Sequence, residues 1–294
     1  MNCEKYYLPA TVEEAINILR ENQGNARLIA GGTDLVLQLR ERKINTKALV
    51  DLSALKELNG ITENNGWITI GSMTTHQQIA ASGIIREKAR VLAEAAQSIG
   101  SPQIRNVGTI GGNVVNAQPA ADTTIALMAL DARARILTNQ GEITKPVGEL
   151  FLGAGQSAID PTSEILLAFD IKTPGAREAT AFMRLAKRKA LALPIVNVGV
   201  WLKLDQTLSK FEDIRIALGP MAPVPVRATN TEAVLKGAPL QQTVLLQAMA
   251  VLEKEISPRD SLRGSAFYKK EMAKVLLKRA ILVAVKDLGG ELGE

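Results

Sequence analysis

Two short stretches on one plan constrain this chain most: Ala30-Gly31-Gly32-Thr33-Asp34 and the longer run from Gly108-Thr109-Ile110-Gly111-Gly112-Asn113 to Asp122. Each places a Gly-Gly step after a short apolar run and before a helical pattern, so the backbone can approach a ligand where a Cβ would obstruct it. Such steps free peptide N–H groups to point into a concavity, and Thr33, Thr109, Asn113 and Asn116 add uncharged hydrogen-bonding side chains. That chemistry suits a pyrophosphate, and two such loops suggest one elongated anionic ligand. Simple tight turns are the alternative reading of both glycine pairs.

Composition narrows the field. A length of 294 residues, 46% hydrophobic and 22% charged, is ordinary globular material with room for roughly two domains. The net charge of +5 comes from 35 basic and 30 acidic residues that are scattered, with no Lys/Arg block interleaved with aromatics, so no nucleic-acid partner is expected. The single cysteine, Cys3, allows the chain no disulfide of its own, no four-cysteine iron–sulfur cluster and no zinc site, so any such centre belongs to a partner. Met1 to Lys5 leads into no long apolar core, and no stretch approaches the roughly 20 apolar residues that cross a bilayer. A cytoplasmic protein with no membrane span is expected.

Thr11 and Glu14 form a capping-box pattern ahead of Val12, Ala15, Ile16 and Leu19, which predicts an amphipathic helix over 11–21. Residues 26–30 read as a strand delivering the chain to the first glycine loop, and a second helix follows from Asp34. Strands are expected over 48–52, 67–70, 132–138 and 165–171, and a helix over 88–99. Asp122 is placed to cap a helix through Leu130. Pro174-Gly175 breaks the pattern, and the main domain boundary is expected between Thr173 and Glu178, with a subdomain starting near Leu55. Beyond it come strands over 195–204 and 214–218, then helices over 229–236, 242–256 and 267–287, an order that implies a segregated α+β module.

The central stretch, read with Ala30 to Leu35, resembles the FAD-binding subunits of the molybdenum hydroxylases, the xanthine dehydrogenase and carbon monoxide dehydrogenase family. Other pieces fall in family order: Val50-Asp51-Leu52, Ile70-Gly71-Ser72, Gln103-Ile104-Arg105-Asn106, Ala129-Leu130-Asp131-Ala132, Ile216-Ala217-Leu218-Gly219 and Leu235-Lys236-Gly237. The resemblance covers nearly the whole chain. It implies an α+β protein: a two-subdomain FAD-binding region of the p-cresol methylhydroxylase type (1–175, subdomains about 1–54 and 55–175), then a smaller α+β domain (176–294) of the carbon monoxide dehydrogenase flavoprotein type.

It further implies FAD held by Leu28, Ile29, Ala30, Gly31, Gly32, Thr33, Asp34 and Leu35, and by Thr109, Ile110, Gly111, Gly112 and Asn113, with Asp122 also in the site. Ile165 carries over, and so does Arg184, where many relatives have lysine. Arginine keeps the charge but changes reach and hydrogen-bond geometry, and Lys187 and Arg188 lie close enough to compete for the role. The lone histidine, His76, is expected at the surface or a helix start, outside the flavin positions. Trp67 and Trp201 read as packing residues.

The implied function is that of the medium subunit of a heterotrimer. A large molybdenum-cofactor subunit would act on the organic substrate, a small subunit would carry two-iron two-sulfur clusters, and FAD would pass electrons to an acceptor such as NAD. No acid or base in this chain would act on the organic substrate, and no metal would be bound. A xanthine dehydrogenase-like assembly is the first reading. A carbon monoxide dehydrogenase-like medium subunit, a stand-alone FAD oxidase and a non-enzymatic scaffold are the others.

Overall fold

The computed structural model describes residues 3–293. Thr11 accepts from the Glu14 N–H and starts the first helix, Val12–Asn22, whose Ala15, Ile16 and Leu19 are buried. That helix packs on a small parallel sheet with strand order Lys5–Tyr7, Ala48–Asp51, Ala26–Ile29. Strand Ala26–Ile29 runs directly into the first glycine loop, and the six-residue helix Leu35–Arg40 leaves it. Parallel strands need a crossover, and here the loop and its helix supply it.

The next region is an antiparallel sheet ordered Ile61–Asn64, Trp67–Gly71, Ile165–Lys172, Arg133–Thr138, Gly141–Pro146. Its two outer strands lie in segments where no strand was expected. Exposed polar faces, such as Thr62, Glu63 and Asn64, hide the period-two signal there. Between Trp67–Gly71 and Arg133–Thr138 the chain winds through short helices, including His76–Ala81, Arg90–Gln97, Pro102–Val107, Ile110–Val115 and Asp122–Ala129. Pro102 opens its helix at a position where the missing N–H costs nothing.

The last region is an antiparallel sheet ordered Glu178–Leu185, Val196–Leu204, Phe211–Gly219, Val226–Arg227. The sequence reading missed its first strand. Helix Asp122–Ala129 packs on one face, where a Cβ on Gly219 would lie 2.4 Å from the Pro119 carbonyl oxygen and one on Gly199 would lie 3.1 Å from that of Ile125. Helix Ala266–Asp287 packs against the same sheet, with Ala273, Leu277, Ala280, Ile281 and Ala284 buried. Helices Thr229–Leu235 and Gln242–Glu255 complete this layer. The mixed α+β class expected from the sequence is the class observed. No helix among the described residues is long and apolar enough to cross a membrane.

Candidate functional site

The two glycine loops face one another across a cleft enclosing about 1070 Å3, its open mouth included. Leu28, Ala30, Gly31, Gly32, Thr33, Asp34 and Leu35 line one wall; Thr109, Gly111, Gly112 and Asn113 line another. Chain topology brings them together: strand Ala26–Ile29 ends where helix Ile110–Val115 begins.

The glycines divide into two kinds. A Cβ on Gly31 would sit 2.1 Å from the Val107 carbonyl oxygen, and one on Gly111 would sit 2.7 Å from both the Cβ and the carbonyl oxygen of Ser72. At these two the close approach of another chain segment by itself excludes a side chain. Gly32 has φ +66°, the left-handed region that disfavours a side chain. Gly112 is exposed to the cleft, and its nearest neighbours would be Thr109 Oγ1 at 3.0 Å and the Ala30 Cβ at 3.9 Å. Gly112 is the most exposed of the four, and a Cβ there would press on Thr109 Oγ1.

The walls offer hydrogen-bond donors. The backbone N–H groups of Gly31, Gly32, Thr33 and Asp34 meet no protein acceptor among the described residues. Thr109 Oγ1 accepts from the Gly112 N–H at 3.1 Å, which leaves its own hydrogen to point outward. Asn113 Oδ1 accepts from Thr123 Oγ1 at 2.8 Å, so its amide faces the cleft as a donor. Gln38 Nε2 bonds Asn116 Oδ1 at 3.4 Å and ties the loops together.

Ile29, Ile110 and Ile165 bury their side chains in the surrounding core rather than in the cleft. Strand alternation explains Ile165: Glu164 and Leu166 on either side of it line the cleft, so Ile165 reaches that wall only through its backbone. Asp122 and Arg184 lie off the cleft. Arg184 Nε donates to Asp122 Oδ2 at 3.1 Å, Asn197 Nδ2 donates to Asp122 Oδ1 at 2.6 Å, and a second Arg184 nitrogen donates to the Ala192 carbonyl. Burial pushes the Asp122 carboxyl up, against the pull of Arg184. Asp122 is not the helix cap that its sequence position suggests: Ala121 holds that place, and the Asp122 side chain joins the helix to the last sheet instead.

Sequence reasoning missed a third wall. Ser72, Met73 and His76 line the cleft, with Ile99 and Ile104 at one end. His76 does begin a helix, as expected, but it is buried rather than at the surface. Burial, and then the charge of Arg105, push the imidazole down to about 4, so it is neutral near pH 7. Its Nδ1 and the Ser72 Oγ are buried without a protein partner. Such orphans are uncommon, and both sit beside the cleft. The signal was present: Thr75 and Gln78 form a full capping box directly after a strand, which fixes His76 at the first helical position. Trp201 is buried as expected, with the Arg215 guanidinium 4.0 Å from its ring centroid, whereas Trp67 is exposed.

Comparison with known proteins bears on what fills the cleft. Residues 2–173 match the family described as the FAD binding domain in molybdopterin dehydrogenase, and residues 181–284 match the CO dehydrogenase flavoprotein C-terminal domain. The chain is 34% identical over 290 residues to a xanthine dehydrogenase FAD-binding subunit of Escherichia coli O157:H7, covering 98% of each. It is 32% identical over 295 residues to the nicotinate dehydrogenase FAD-subunit of Eubacterium barkeri, covering 99% of each. In structure it resembles a chain of carbon monoxide dehydrogenase from Hydrogenophaga pseudoflava in a form lacking the Mo-pyranopterin moiety, with TM-score 0.91, 29% identity, and 96% and 97% of the two chains covered.

Proposed function

The chain belongs to the FAD-binding subunits of the molybdenum hydroxylases, and we propose that it passes electrons from a partner's iron–sulfur clusters to an acceptor such as NAD, in a xanthine dehydrogenase-like complex. FAD is its cofactor, and it is the flavoprotein subunit of an oxidoreductase. The proposed partners are a large molybdenum-cofactor subunit and a small two-iron two-sulfur subunit, and the proposed location is the cytoplasm. We also place the domain boundary at 175/176. In support, strand Ile165–Lys172 belongs to the middle sheet and strand Glu178–Leu185 opens the last one.

One observation carries the reading: unpaired donors converge on one cleft. Four backbone N–H groups of residues 31–34 and the Asn113 amide lie along its walls, and Ser72 and His76 line it as well, with their orphaned Oγ and Nδ1 buried behind the surface. Residues 31–34 and Asn113 are not buried, so their donors are solvated in the open cleft and stay free to pair with a bound polar molecule. We assign the two loops, Leu28–Leu35 and Thr109–Asn113, to holding the flavin's pyrophosphate, with Ile29 and Ile110 contributing backbone only. Asp34 and Glu164 suit the hydroxyl groups of the same molecule better than its phosphates. Bound FAD would supply the redox chemistry, and the protein's part is to bind, orient and exclude water. Ile165 supports the wall from behind, and Asp122 with Arg184 anchors the cleft region to the last sheet.

The test is the purified single chain. It is expected to be yellow with about one FAD per chain, to reduce an artificial dye with NADH, and to hydroxylate no heterocycle alone. Sustained oxidation of an organic substrate by the chain alone would favour a stand-alone oxidase. A colourless chain that binds no added FAD would sink both readings.

A further inference from the structure

The segment from Ser72 to His76 is laced to the start of the second glycine loop. The Gly111 N–H donates to the Ser72 carbonyl at 2.8 Å, the Ile110 N–H to the Thr74 carbonyl at 3.0 Å, and the His76 N–H to the Gly108 carbonyl at 3.0 Å. These bonds hold the His76 backbone in register with the loop, and the Thr75 and Gln78 capping box sets the helix that His76 begins. A Cβ on Gly108 would sit 3.4 Å from His76 Cδ2 and 3.7 Å from Thr33 Oγ1. The ring edge that carries Cδ2 and Nε2 therefore lies beside the seam where the two glycine loops meet.

The two ring nitrogens have different surroundings. Nδ1 is sealed from solvent and meets no protein partner. Nε2 makes no hydrogen bond to protein among the described residues either, but it is not sealed, and His76, Gly108 and Thr33 all line the cleft. The 3% of His76 that stays accessible thus includes Nε2. A neutral imidazole holds one proton. On Nδ1 that proton would be a buried donor with no acceptor; on Nε2 it reaches the cleft, where it can be paired. This setting favours the Nε2–H tautomer, a donor aimed at the seam.

The charge beside the ring is positive. Arg105, on helix Pro102–Val107, acts on His76 and gives its own hydrogen bonds to the Ile99 carbonyl and the Gln77 side-chain oxygen, two neutral acceptors that leave its charge uncancelled. Arg27, Asp34 and Glu164 are the other charged residues lining the cleft.

We propose that His76 is a cofactor-binding residue whose Nε2–H donates to the pyrophosphate of the flavin cofactor. The inference rests on the flavin reading of the cleft and adds one side chain to the backbone donors assigned there. Unpaired N–H groups of residues 31–34 and the Arg105 charge make the seam suit an anionic oxygen better than a hydroxyl. A neutral donor suits a wall this deeply buried, since it brings no charge of its own to be stripped of water.

The chain has one histidine, so isotope-labelled histidine gives a single imidazole to follow by nitrogen NMR. In the full chain freed of flavin, the ring is expected to be neutral near pH 7 with its proton on Nε2. ADP, which carries the pyrophosphate without the flavin, is expected to move the Nε2 signal as FAD does, and riboflavin at the same concentration to leave it in place. His76→Leu is expected to weaken FAD binding about tenfold, the loss of one hydrogen bond to a charged group, and His76→Gln, whose side-chain N–H can reach the same point, to restore most of it. A proton on Nδ1 alone, an Nε2 signal that ADP leaves unmoved, a riboflavin shift equal to that of ADP, a Leu variant that binds FAD like the parent, or a Gln variant no better than the Leu variant would each overturn the proposal. If the Leu variant does not fold, the spectra of the parent decide alone. A parent chain that binds neither FAD nor ADP would sink the flavin reading itself, whereas a yellow parent whose imidazole ignores ADP removes only the role of His76.

Discussion

The walls of the cleft and the last sheet are built to opposite ends. Strand Val196–Leu204 is buried along its whole length except at Lys203, held between helix Asp122–Ala129 and helix Ala266–Asp287. Its backbone groups pair on both edges, with Glu178–Leu185 and Phe211–Gly219. The first glycine loop has four unpaired N–H groups and only a six-residue helix after it. Donors left to solvent at the cleft are free for a ligand, whose binding adds stability; where donors pair in a ladder under apolar cover, the structure stands without one. The last sheet therefore acts as the support and the loops as the receptor.

The strongest way to break that division is to add bulk to the receptor's two kinds of glycine. Gly31→Val would drive a branched side chain into the Val107 carbonyl, 2.1 Å from where its Cβ must go. It is expected to cost more than about 4 kcal/mol and to abolish FAD binding, read by thermal melting and flavin content. Gly112→Val, on the open wall, is expected to remove FAD while far-UV circular dichroism stays near that of the parent. Equal loss of fold in both variants would mean that the second loop, too, exists only to let chains pack.

Leu277→Ala strikes the support instead. Leu277 is fully buried against the last sheet, and truncation is expected to cost about 2 to 5 kcal/mol, seen as a lower urea midpoint. FAD affinity at room temperature should change less than about threefold, because no cleft residue is touched. A large loss of affinity would show that the two regions are not separable.

The smallest effect is a pH dependence confined to the cleft. His76 titrates at about 4 when folded, against an ordinary value of 6.5. Between those values the unfolded chain binds the proton and the folded one does not, so stability rises with pH. It is complete above about pH 6.5 and is lost progressively as pH falls toward 4. The shift corresponds to about 3 to 4 kcal/mol at most, and melting of the FAD-free protein from pH 7 to 4.5 should show the greater part of it. His76→Gln should flatten that part of the profile relative to the parent. An unchanged profile would assign the acid lability to carboxylates elsewhere.

Much of this was legible in the chain. Helices Val12–Asn22, Gln242–Glu255 and Ala266–Asp287 fall within a residue or two of expectation because their apolar residues recur over a long stretch, and Thr11 and Ser265 cap the first and the last. Outer strands Ile61–Asn64 and Gly141–Pro146 were not legible, since strands with exposed side chains lack the alternating signal. Both glycine loops were visible as candidates. The Ser72 and His76 wall was not: the Thr75 and Gln78 capping box marks where its helix starts, but nothing local shows that this segment closes on the two loops.

The sequence by itself determined that two glycine loops would follow apolar runs, that one cysteine rules out an internal four-cysteine cluster, and which family the chain resembles. Tertiary structure decided what each glycine is for. Gly31 and Gly111 are set by backbone approaching backbone from segments far apart in the chain, Val107 and Ser72, a distance no local pattern encodes. It also decided that Asp122 would meet Arg184 and Asn197 instead of capping its helix, because only packing of that helix on the last sheet brings those side chains within reach.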